Sequence, residues 1–503
     1  MIQATLFAGC EPEVAAGVDG RIIAVGDAAR SAAGRKARII RLSGRAWPGV
    51  IDSHIHLEGL ADRHLTLDLT GAANLEEALA RIKSWSEQLP QDAWLGGAGW
   101  YNDAWPEAAF PTRKQLDEAA GGRPAYLRRK DGHSAWVSTS ALKRAGIDRA
   151  TEDPPGGNID RSKSGEPTGI LRETAMQLVS DLLPPPTEAE LDEAMAKVLT
   201  DLAALGVTAV HSMDSAKGFG SWQRLRQRGR LPIRITYNLP LKDLPHAERM
   251  GVQSGWGDEW LRIWGVKAFL DGSLGSRTAE MLDGTGTARM TQADLKDMIQ
   301  RCARAELNVC LHAIGDGAVR RALDALAPHK DAWQEWRPRI EHAQCVNPKD
   351  MKRFARIGVI ASMQPIHAVA DRELVDEYWP RVTAQAYAWG ALERGGARLA
   401  FGSDAPVETA DPLAGIEAAT AWRRKSNWHP DLAVSTASAR RAYTSNGAYA
   451  VGMEKDLGSL RPGKLCDLTV LDRGRVVATI VGGEVSFLRT PLATSRRSAT
   501  KPH

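Results

Sequence analysis

Helical and β-rich patterns alternate along the middle of the chain. Thr187 and Glu190 have the spacing of a helix capping box, apolar residues follow at helical spacing, and Gly206 marks the end of the helix. The apolar run from Val207 to His211 comes directly afterwards and is typical of a buried strand. This stretch therefore predicts a helix followed at once by a strand.

The same unit recurs further along the chain. Helices are predicted to begin at Thr291 and at Asn347-Pro348 and to run through Leu392 to Gly396, and the strands after them are Val309 to His312, Val359 to Ser362 and Leu399 to Asp404. Alternating units with nearly continuous apolar strands are typical of a parallel sheet that is covered by helices. We therefore expect the α/β class and, over residues 50–453, a TIM (β/α)8 barrel.

The two ends of the chain have a different sequence pattern, in which short β-rich runs are separated by turn residues. Ile22 to Val25 is one such run near the start, and Leu468 to Leu471 and Val476 to Val481 are two near the end. Each end alone is too short to bury a core. We expect residues 1–49 and 454–486 to form one small, β-sandwich-like domain, followed by a tail over residues 487–503.

One long stretch does not follow the barrel pattern. From about residue 94 to residue 186 the chain is rich in glycine, proline and tryptophan, and it contains Pro154-Pro155-Gly156-Gly157 and Pro184-Pro185-Pro186. We interpret it as an insertion after the first barrel strand. Insertions at the end of a barrel where the βα loops lie commonly shape the pocket.

Composition narrows the classes of function. The 503 residues are 43% hydrophobic and 25% charged, as in a globular enzyme, and the formal net charge of +4 is spread without a long basic run, so we expect no nucleic-acid partner. No segment reaches the roughly 18 apolar residues of a membrane span. The five cysteines are scattered without a C-x-x-C pair, which favours a reducing, cytoplasmic location. The expected partner is a small-molecule substrate, and a homodimer is compatible with these features.

The segment Pro48 to His56 has the strongest chemical signal. Side chains alternate along a strand, so Asp52, His54 and His56 share one face and the two imidazoles converge. Two such histidines are a candidate metal site. The alternative is that they are ordinary polar strand residues, since short motifs produce false positives.

Further candidate ligands follow later strands in the order that a barrel requires. His312 ends one predicted strand, His342 follows Arg339-Ile340-Glu341, and Asp404 follows Phe401-Gly402-Ser403. Strand ends of a TIM barrel meet at one mouth, where histidine and carboxylate groups can share a metal. For Asp404 the alternative is a cap for the helix predicted after it, near Val407 and Glu408.

Lys267 is unusual because it lies within the apolar run Ile263 to Leu270. A buried lysine is costly unless it is neutral, paired or modified. One interpretation is that a neutral Lys267 reacts with carbon dioxide to give a carbamate, an anionic oxygen ligand. The alternative is a lysine whose charged end reaches solvent at the end of the strand.

Taken together, these motifs resemble those of the amidohydrolase superfamily, in particular its third subgroup, which contains the N-substituted formamide deformylases. The matching segments are Pro48 to His56, Gly265 to Ala279 (GVKAFLDGSLGSRTA), His312 to Asp316 (HAIGD), Arg339 to Gln344 (RIEHAQ), Gly402 to Val407 (GSDAPV) and Gly458 to Leu471 (GSLRPGKLCDLTVL). The resemblance covers nearly the whole chain. It implies one or two divalent metal ions, usually zinc, held by His54, His56, Lys267, His312, His342 and Asp404.

The implied reaction is hydrolysis of a carbon–nitrogen bond of the non-peptide amide type. The metal would lower the pKa of a water molecule, and Asp404 would take its proton and return it to the leaving nitrogen. Two alternatives remain: ester or lactone hydrolysis at the same site, and a barrel that serves as a non-catalytic scaffold.

Several other residues are candidates for supporting roles. His133, in the motif Asp131 to Ser134, and Arg277, in the loop after Lys267, are candidate substrate contacts, while the alternatives are loop packing for His133 and a structural salt bridge for Arg277. Trp100 and Trp105 are candidates to line an apolar pocket. His211 is expected to support a ligand rather than to be one. The spacing of Cys345 and His367 does not indicate ligation.

Overall fold

The computed structural model describes residues 4–90, 92–106, 108–130 and 132–489. Asp131 and most of the predicted tail, residues 490–503, lie outside the described residues. Within the described part of the chain, no helix is both long and apolar enough to cross a membrane. The five cysteines are buried and unpaired.

The strands are, in chain order, β1 (Thr5–Ala8), β2 (Val14–Ala16), β3 (Ile22–Val25), β4 (Arg38–Arg41), β5 (Arg45–Pro48), β6 (Val50–Ile55), β7 (Leu67–Asp68), β8 (Leu95–Trp100), β9 (Ala125–Arg129), β10 (Ser134–Val137), β11 (Gly157–Arg161), β12 (Pro167–Glu173), β13 (Val207–Ser212), β14 (Arg234–Pro240), β15 (Leu261–Phe269), β16 (Asn308–Ala313), β17 (Arg339–His342), β18 (Ile360–Met363), β19 (Arg398–Phe401), β20 (Leu468–Asp472), β21 (Arg475–Val481) and β22 (Glu484–Leu488).

The α-helices are α1 (Ala28–Ala33), α2 (Leu57–Leu65), α3 (Leu75–Ser86), α4 (Arg113–Ala119), α5 (Thr139–Arg144), α6 (Gln177–Ser180), α7 (Glu188–Ala204), α8 (Ala216–Gln227), α9 (Leu244–Met250), α10 (Gln292–Arg304), α11 (Asp316–Leu326), α12 (Pro348–Ile357), α13 (His367–Tyr378), α14 (Trp389–Arg394), α15 (Pro412–Glu417), α16 (Arg423–Lys425), α17 (Thr436–Ala442) and α18 (Ser445–Ala450).

These elements form two compact units. One contains the described residues up to Gly59 and those from Met195 onward, and the other is Leu60–Ala194. The second unit includes the insertion predicted at about 94–186 and extends beyond it on both sides. Its start at Leu60 has a local cause, because strand β7 pairs in parallel with β8 and so belongs to the sheet of the second unit.

The first unit contains the predicted barrel. Eight strands pair in parallel in the order β6, β13, β14, β15, β16, β17, β18 and β19. The ring is brought nearly to closure where the amide of Asp404, just after β19, donates to the carbonyl of His54 in β6 over 2.8 Å. Gly402 permits this approach, since a Cβ there would lie 2.4 Å from the amide nitrogen of His54. The α/β class and the TIM-barrel prediction are confirmed.

Local signals in the sequence account for the helices around the barrel. The predicted capping box forms at the start of α7, where the amide of Thr187 donates to Glu190 Oε2 over 2.8 Å and the amide of Glu190 donates to Thr187 Oγ1 over 3.3 Å. Thr291 caps α10, where its Oγ1 accepts from the amide of Asp294 over 3.1 Å. Helix α12 begins at Pro348 and ends at Gly358, which adopts the left-handed conformation with φ +84°.

Both ends of the chain contribute to the β structure beside the barrel. Strands β3, β2, β1 and β4 form one sheet and β22, β21, β20 and β5 form another, so β5 from the start of the chain pairs with β20 from its end. A buried cluster also joins the two ends, with Phe7 and Ile22 in contact with the same core as Leu468 and Ile480. The domain boundaries at residues 49 and 454 stay a prediction.

The second unit has a six-stranded sheet in the order β11, β12, β10, β9, β8 and β7. Trp100 and Trp105 belong to its core, where they are 0% and 4% exposed, and Trp100 Nε1 donates to the carbonyl of Leu127 over 2.8 Å. The sequence predicted a place for Trp100 in the wall of an apolar, substrate-binding pocket, and the structure places it inside this core instead. The indole has a buried hydrogen-bond partner inside its own unit and no exposed surface to offer.

A buried ion pair fixes the C-terminal segment to the barrel, and it allows a test of that attachment. Arg234, at the start of β14, donates to both carboxylate oxygens of Asp467 over 2.8 and 2.9 Å, and both side chains are 4% exposed. Asp467→Ala leaves the guanidinium buried without its partner, so we expect the free energy of unfolding to fall by about 3–5 kcal/mol.

Urea denaturation of the purified variant measures this loss. The matched control is Glu484→Ala, which removes the partner of Arg38 in an exposed pair and should change stability by less than about 1 kcal/mol. Equal stability of the Asp467 variant and the wild type would contradict this role of the ion pair.

Candidate metal centre

Strand β6 and the loop after β19 bring three of the predicted ligands together. His54 is 0% exposed at the end of β6, His56 follows with its side chain 30% exposed, and Asp404 lies beside both. Asp404 Oδ1 is 3.4 Å from His54 Nε2 and 3.2 Å from His56 Nε2. Asp404 has φ +57°, a left-handed backbone that few residues other than glycine adopt.

The chemistry and the spacing of these atoms fit a metal ion. One donor atom from each of His54, His56 and Asp404 lies within 4.8 Å of the other two. Nitrogen and oxygen ligands of zinc lie about 2.0–2.2 Å from the ion, so two of them at the tetrahedral angle are separated by roughly 3.4 Å. The two distances to Asp404 agree with that separation.

His342 and His312 extend this cluster along the barrel mouth. The ring centroids of His54 and His342 are 4.9 Å apart, and those of His342 and His312 are 4.6 Å apart. Both side chains are buried, and His342 ends β17 with φ +72°. The strand ends therefore place four of the predicted histidines in one row.

Each of the three buried histidines has its second ring nitrogen fixed by an acceptor. His54 Nδ1 donates to Glu341 Oε2 over 2.7 Å. In the same way, His312 Nδ1 donates to Asp271 Oδ1 over 3.1 Å, and His342 Nδ1 donates to Gln364 Oε1 over 2.8 Å. An Nδ1 that donates leaves Nε2 with its lone pair, the state in which imidazole binds a metal. These contacts orient the rings towards the cluster.

Arg339 supports this arrangement from inside the barrel. Its guanidinium donates to Glu341 Oε1 over 2.8 Å and to His211 Nδ1 over 2.9 Å, and all three side chains are buried. Burial alone raises the pKa of Glu341, but the charge of Arg339 and the hydrogen bond with His54 hold it well below its usual range. His211 thus contacts the arginine that positions Glu341, as expected for a supporting group.

Lys267 lies inside the barrel beside the cluster. It is 3% exposed, and its Nζ is 3.4 Å from His54 Nε2. Burial lowers the pKa of Lys267 from its ordinary value. The side chain therefore does not reach solvent at the end of the strand, and the alternative interpretation of this residue is excluded.

Electrostatics favour neutral imidazoles around an anionic carboxylate. Burial, aided by the charge of Lys267, lowers the pKa of His54 to about 4, and burial with the charge of His312 lowers that of His342 well below its usual value. Burial raises the pKa of Asp404, yet the hydrogen bond with His56 and the other histidine rings around it hold it well below its usual range. These are the protonation states in which the groups bind a divalent cation.

Asp404 is not a helix cap. The next described helix, α15, begins at Pro412, and its first turn is capped by Asp411, whose Oδ1 accepts from the amide of Leu413 over 2.9 Å. The amide of Val407 donates to the backbone carbonyl of Asp404, not to its side chain. The carboxylate is thus free to face the histidines.

The structure also brings His367 to the cluster, although its spacing in the sequence does not indicate ligation. His367 begins α13 and is 7% exposed, and its Nε2 lies 3.7 Å from Asp404 Oδ2. That buried nitrogen has no hydrogen-bond partner among the described residues. A buried polar atom without a protein partner is unusual, so this nitrogen is a candidate to contact a bound ligand, an ion or water.

The structure gives the remaining candidate residues other contacts. His133 is in the second unit, where its side chain is 69% exposed and its Nδ1 is 3.0 Å from Glu173 Oε1, so its contact with substrate stays a prediction. Arg277 forms no ion pair with a described carboxylate and instead stacks on Tyr378, with its guanidinium 4.1 Å from the ring centroid. Cys345 is buried, and the structure gives it no role in the cluster.

Sequence reasoning missed the acceptors that orient the histidines. Glu341 carried one signal, since it alternates with Arg339 on the inward face of a strand and buried charges need partners. Asp271 and Gln364 carried none, because each lies just beyond a strand and meets its histidine only when the neighbouring strands of the barrel pair.

Comparisons with known proteins agree with this geometry. Residues 39–487 match the sequence model of the amidohydrolase family. The chain is 28% identical to the N-substituted formamide deformylase of Arthrobacter pascens, over 94% of this chain and 92% of that protein. It is 33% identical to the protein LONG AFTER FAR-RED 3 of Arabidopsis thaliana, over 93% of this chain and 87% of that one.

A solved structure has the same fold over nearly the whole chain. It is that of an uncharacterized metal-dependent hydrolase from Pyrococcus furiosus, with a TM-score of 0.75 and 28% identity, and the match covers 94% of this chain and 98% of that one. A parallel barrel with histidine and aspartate donors at its mouth defines a metal-dependent hydrolase. The chain belongs to the amidohydrolase family.

The unpartnered nitrogen of His367 leads to a prediction that separates stability from activity. Phenylalanine has a similar shape, and His367→Phe removes no protein hydrogen bond from the Nε2 atom. We therefore expect the melting temperature to stay the same or to rise. If Nε2 contacts a ligand at the cluster, hydrolytic activity should fall by about tenfold or more, the loss expected for one hydrogen bond to a charged group.

Thermal denaturation and turnover should be measured on one preparation, with the exposed His246→Phe as the control. A His367 variant with wild-type turnover would exclude any role of this nitrogen in the reaction.

Proposed function

We propose that the protein hydrolyses a carbon–nitrogen bond of the non-peptide amide type. The observation that carries the proposal is the placement of Asp404, with one carboxylate oxygen within 3.4 Å of two histidine nitrogens at the barrel mouth. A carboxylate in that position can accept a proton from water and deliver it to a leaving nitrogen. The name of the Arthrobacter relative, a deformylase of N-substituted formamides, supports an amide as substrate.

The residues that would hold the metal are His54, His56 and Asp404, with His312, His342 and Lys267 beside them. Imidazole and carboxylate donors suit zinc, which we propose as the metal, in one or two ions. When bound, such an ion supplies Lewis acidity, lowering the pKa of a nearby water molecule and polarising the carbonyl group.

Asp404 performs the proton transfers in the proposed reaction. It accepts the proton of the attacking water as the oxygen adds to the carbonyl carbon. The carbon–nitrogen bond then breaks, and Asp404 returns the proton to the nitrogen, which leaves as a neutral amine. The low pKa of Asp404 keeps it ionised, and therefore able to accept that proton, before the reaction begins.

Lys267 is proposed to carry a carbamate. Its burial favours the neutral amine, which reacts with carbon dioxide to form a carbon–nitrogen bond and release one proton. The carbamate would place an anionic oxygen donor next to His54, where the unmodified side chain has only an amine. An anionic oxygen can compensate the positive charge of a metal ion at the cluster, which a lysine amine cannot do.

A substrate screen tests the reaction. Enzyme reconstituted with zinc should release amine from N-formyl or other N-acyl amines, and matched esters and lactones serve as the comparison. Turnover of esters or lactones without turnover of any amide would overturn the proposal in favour of oxygen-ester hydrolysis. Absence of turnover with less than one metal equivalent per chain would favour a non-catalytic scaffold.

Asp404→Asn tests the proton transfer. Asparagine is nearly the same size and cannot accept the proton, so the variant should keep its fold and most of the metal that the histidines hold. Loss of a general base costs about 10²–10⁴ in rate, and we expect the upper part of that range because the same group also serves as the acid. Melting temperature, bound metal and turnover should be measured together. An unstable variant with normal turnover per folded molecule would refute the assignment.

Lys267→Ala tests the carbamate. The variant should lose metal and activity, and a short-chain carboxylic acid such as acetate should restore part of both by supplying the missing oxygen donor. The control is Lys296→Ala on the exposed face of α10, which acetate should not affect. Wild-type metal content in the Lys267 variant would refute the assignment, and loss without rescue would leave lysine, not a carbamate, as the functional group.

A further inference from the structure

A cavity of about 610 Å³ lies among the loops that follow β15 to β18. Its walls include Leu274, Arg277 and Met281 from the first of these loops and the segment Tyr378 to Val382 beyond α13. The same loops begin with the histidines of the barrel mouth, because His312 ends strand β16 and His342 ends strand β17. The cavity therefore lies at the catalytic end of the barrel, and its volume suits a small-molecule ligand.

The loop after β15, which forms much of the cavity wall, is hydrogen-bonded to the histidine cluster. Asp271 begins this loop and accepts from His312 Nδ1 over 3.1 Å, and its other oxygen accepts from the amide of Glu280 over 3.0 Å. Further along, the amide of Leu282 donates to Asp316 Oδ1 over 2.8 Å. The loop is thus tied to the residue that orients His312 and to the helix after it.

Arg277 presents a positive charge to this cavity without an acidic partner. Its guanidinium stacks on the Tyr378 ring and donates to the Tyr378 hydroxyl, and no described carboxylate lies within ion-pair distance of it. Arg277 also has φ +57°, a backbone conformation that costs about 1–3 kcal/mol for a residue other than glycine. Strained backbone conformations of this kind cluster at active and ligand-binding sites.

The two acidic residues of the cavity have different partners. Asp283 accepts from the amide and hydroxyl of Thr285 over 3.0 and 2.7 Å, and Asp316 accepts from Leu282 as described above. Asp283 is therefore stabilised within its own loop, and Asp316, at the start of α11, accepts from an amide of the loop after β15. The hydrogen bonds with Thr285 and the charge of Arg381 lower the pKa of Asp283, so Asp283 and Arg381 compensate each other's charge. Arg277 is therefore the arginine of the cavity wall that has no acidic partner among the described residues.

The rest of the wall is largely apolar. Leu274, Met281, Trp379 and Val382 surround the space, with Leu274 2% exposed and Trp379 7% exposed. A ligand that fills the cavity must cover this apolar surface and also meet the cation at Arg277. A hydrocarbon or aryl group that ends in a carboxylate meets both requirements.

The position of α13 sets the length of such a ligand. His367 at its start lies next to Asp404, and Tyr378 at its end stacks on Arg277. At 1.5 Å per residue, the eleven steps between them span roughly 16 Å, and at 3.6 residues per turn they return to nearly the same face of the helix. A carboxylate held by Arg277 would therefore lie much farther from the scissile bond than the carboxylate of an N-acyl α-amino acid does.

We propose that this cavity binds the part of the substrate remote from the scissile bond, and that this part is apolar and ends in a carboxylate held by Arg277. The inference rests on the proposed amide hydrolysis and adds to it a substrate class, the N-acylated ω-amino acids of medium chain length and amides of similar shape.

Turnover of matched substrates is the first test. The N-formyl derivative of ω-aminododecanoate is compared with its neutral methyl ester, using the zinc-loaded, full-length enzyme. Wild type should prefer the carboxylate by about tenfold or more in kcat/KM, mainly through KM. Arg277→Met should abolish the preference, because it removes a charge-assisted hydrogen bond. Arg289→Met, an exposed arginine of the same loop outside the cavity, is the control and should keep it.

Direct binding is the second test and does not depend on catalysis. Titration with decanoate and with decanol, followed by tryptophan fluorescence because Trp379 lines the cavity, should give tighter binding of the anion to wild type. In the Arg277 variant the ratio of the two Kd values should fall by about tenfold or more. Coordination of decanoate to the metal would not depend on Arg277 and would leave this ratio unchanged.

The two readouts separate the two hypotheses. Arg277-dependent binding of decanoate without turnover of any formamide would support the anionic cavity and overturn the proposed reaction. Turnover of both formamides at equal efficiency, with no effect of Arg277→Met on turnover or on the Kd ratio, would overturn the cavity proposal and leave the amide hydrolysis intact. If neither activity nor Arg277-dependent binding is found, both proposals are wrong.

Discussion

The buried pair of Arg339 and Glu341 is the constraint on which the cluster depends. Both side chains are fully buried on the same strand, β17, where an unpaired charge would cost several kcal/mol. Two hydrogen bonds of 2.8 and 3.0 Å join them, and the oxygen that accepts at 3.0 Å also accepts from His54 Nδ1 at 2.7 Å. The same carboxylate therefore neutralises the arginine and fixes the imidazole. The orientation of His54 thus depends on the ion pair staying intact.

The other histidines depend on strand register in a comparable way. His312 is in register with Phe269 of the neighbouring strand, and Asp271, two residues beyond Phe269, reaches back to the His312 ring. His342 receives its acceptor, Gln364, from just beyond β18. A slip of one residue would turn each of these side chains to the opposite face, so the register that buries the barrel strands also aligns the donors.

Much of the fold could be predicted because its signals are local. The capping box at Thr187, the proline that starts α12 and the left-handed Gly358 each depend on a few neighbouring residues, and the elements they bound agree with the structure. The clustering of His54, His342, His312 and Asp404 could be predicted because a barrel brings all strand ends to one mouth.

The features that could not be predicted from the sequence depend on contacts between distant parts of the chain. Trp100 has the same local surroundings whether it lines a pocket or packs in a core, and only the assembled sheet of the second unit buries it. His367 follows a strand that has no ligand motif, and its approach to Asp404 results from the start of α13. Arg277 was predicted to contact substrate, with a structural salt bridge as the alternative, and its contact in the structure is an aromatic ring, which local sequence does not specify.

The backbone of the barrel mouth is strained where the chemistry lies. His342, Asp404 and Arg277 all have positive φ angles, +72°, +57° and +57°, and each conformation costs about 1–3 kcal/mol. Glycine would relieve that cost, but each position needs its side chain, for a ring, a carboxylate or a cation. The surrounding contacts hold the backbone in place: the amide of Asp404 donates to His54, and Asp52 Oδ1 accepts from the amides of both His54 and Ser403. The closure of the barrel thus stabilises the strained residue that the proposed reaction uses as its base.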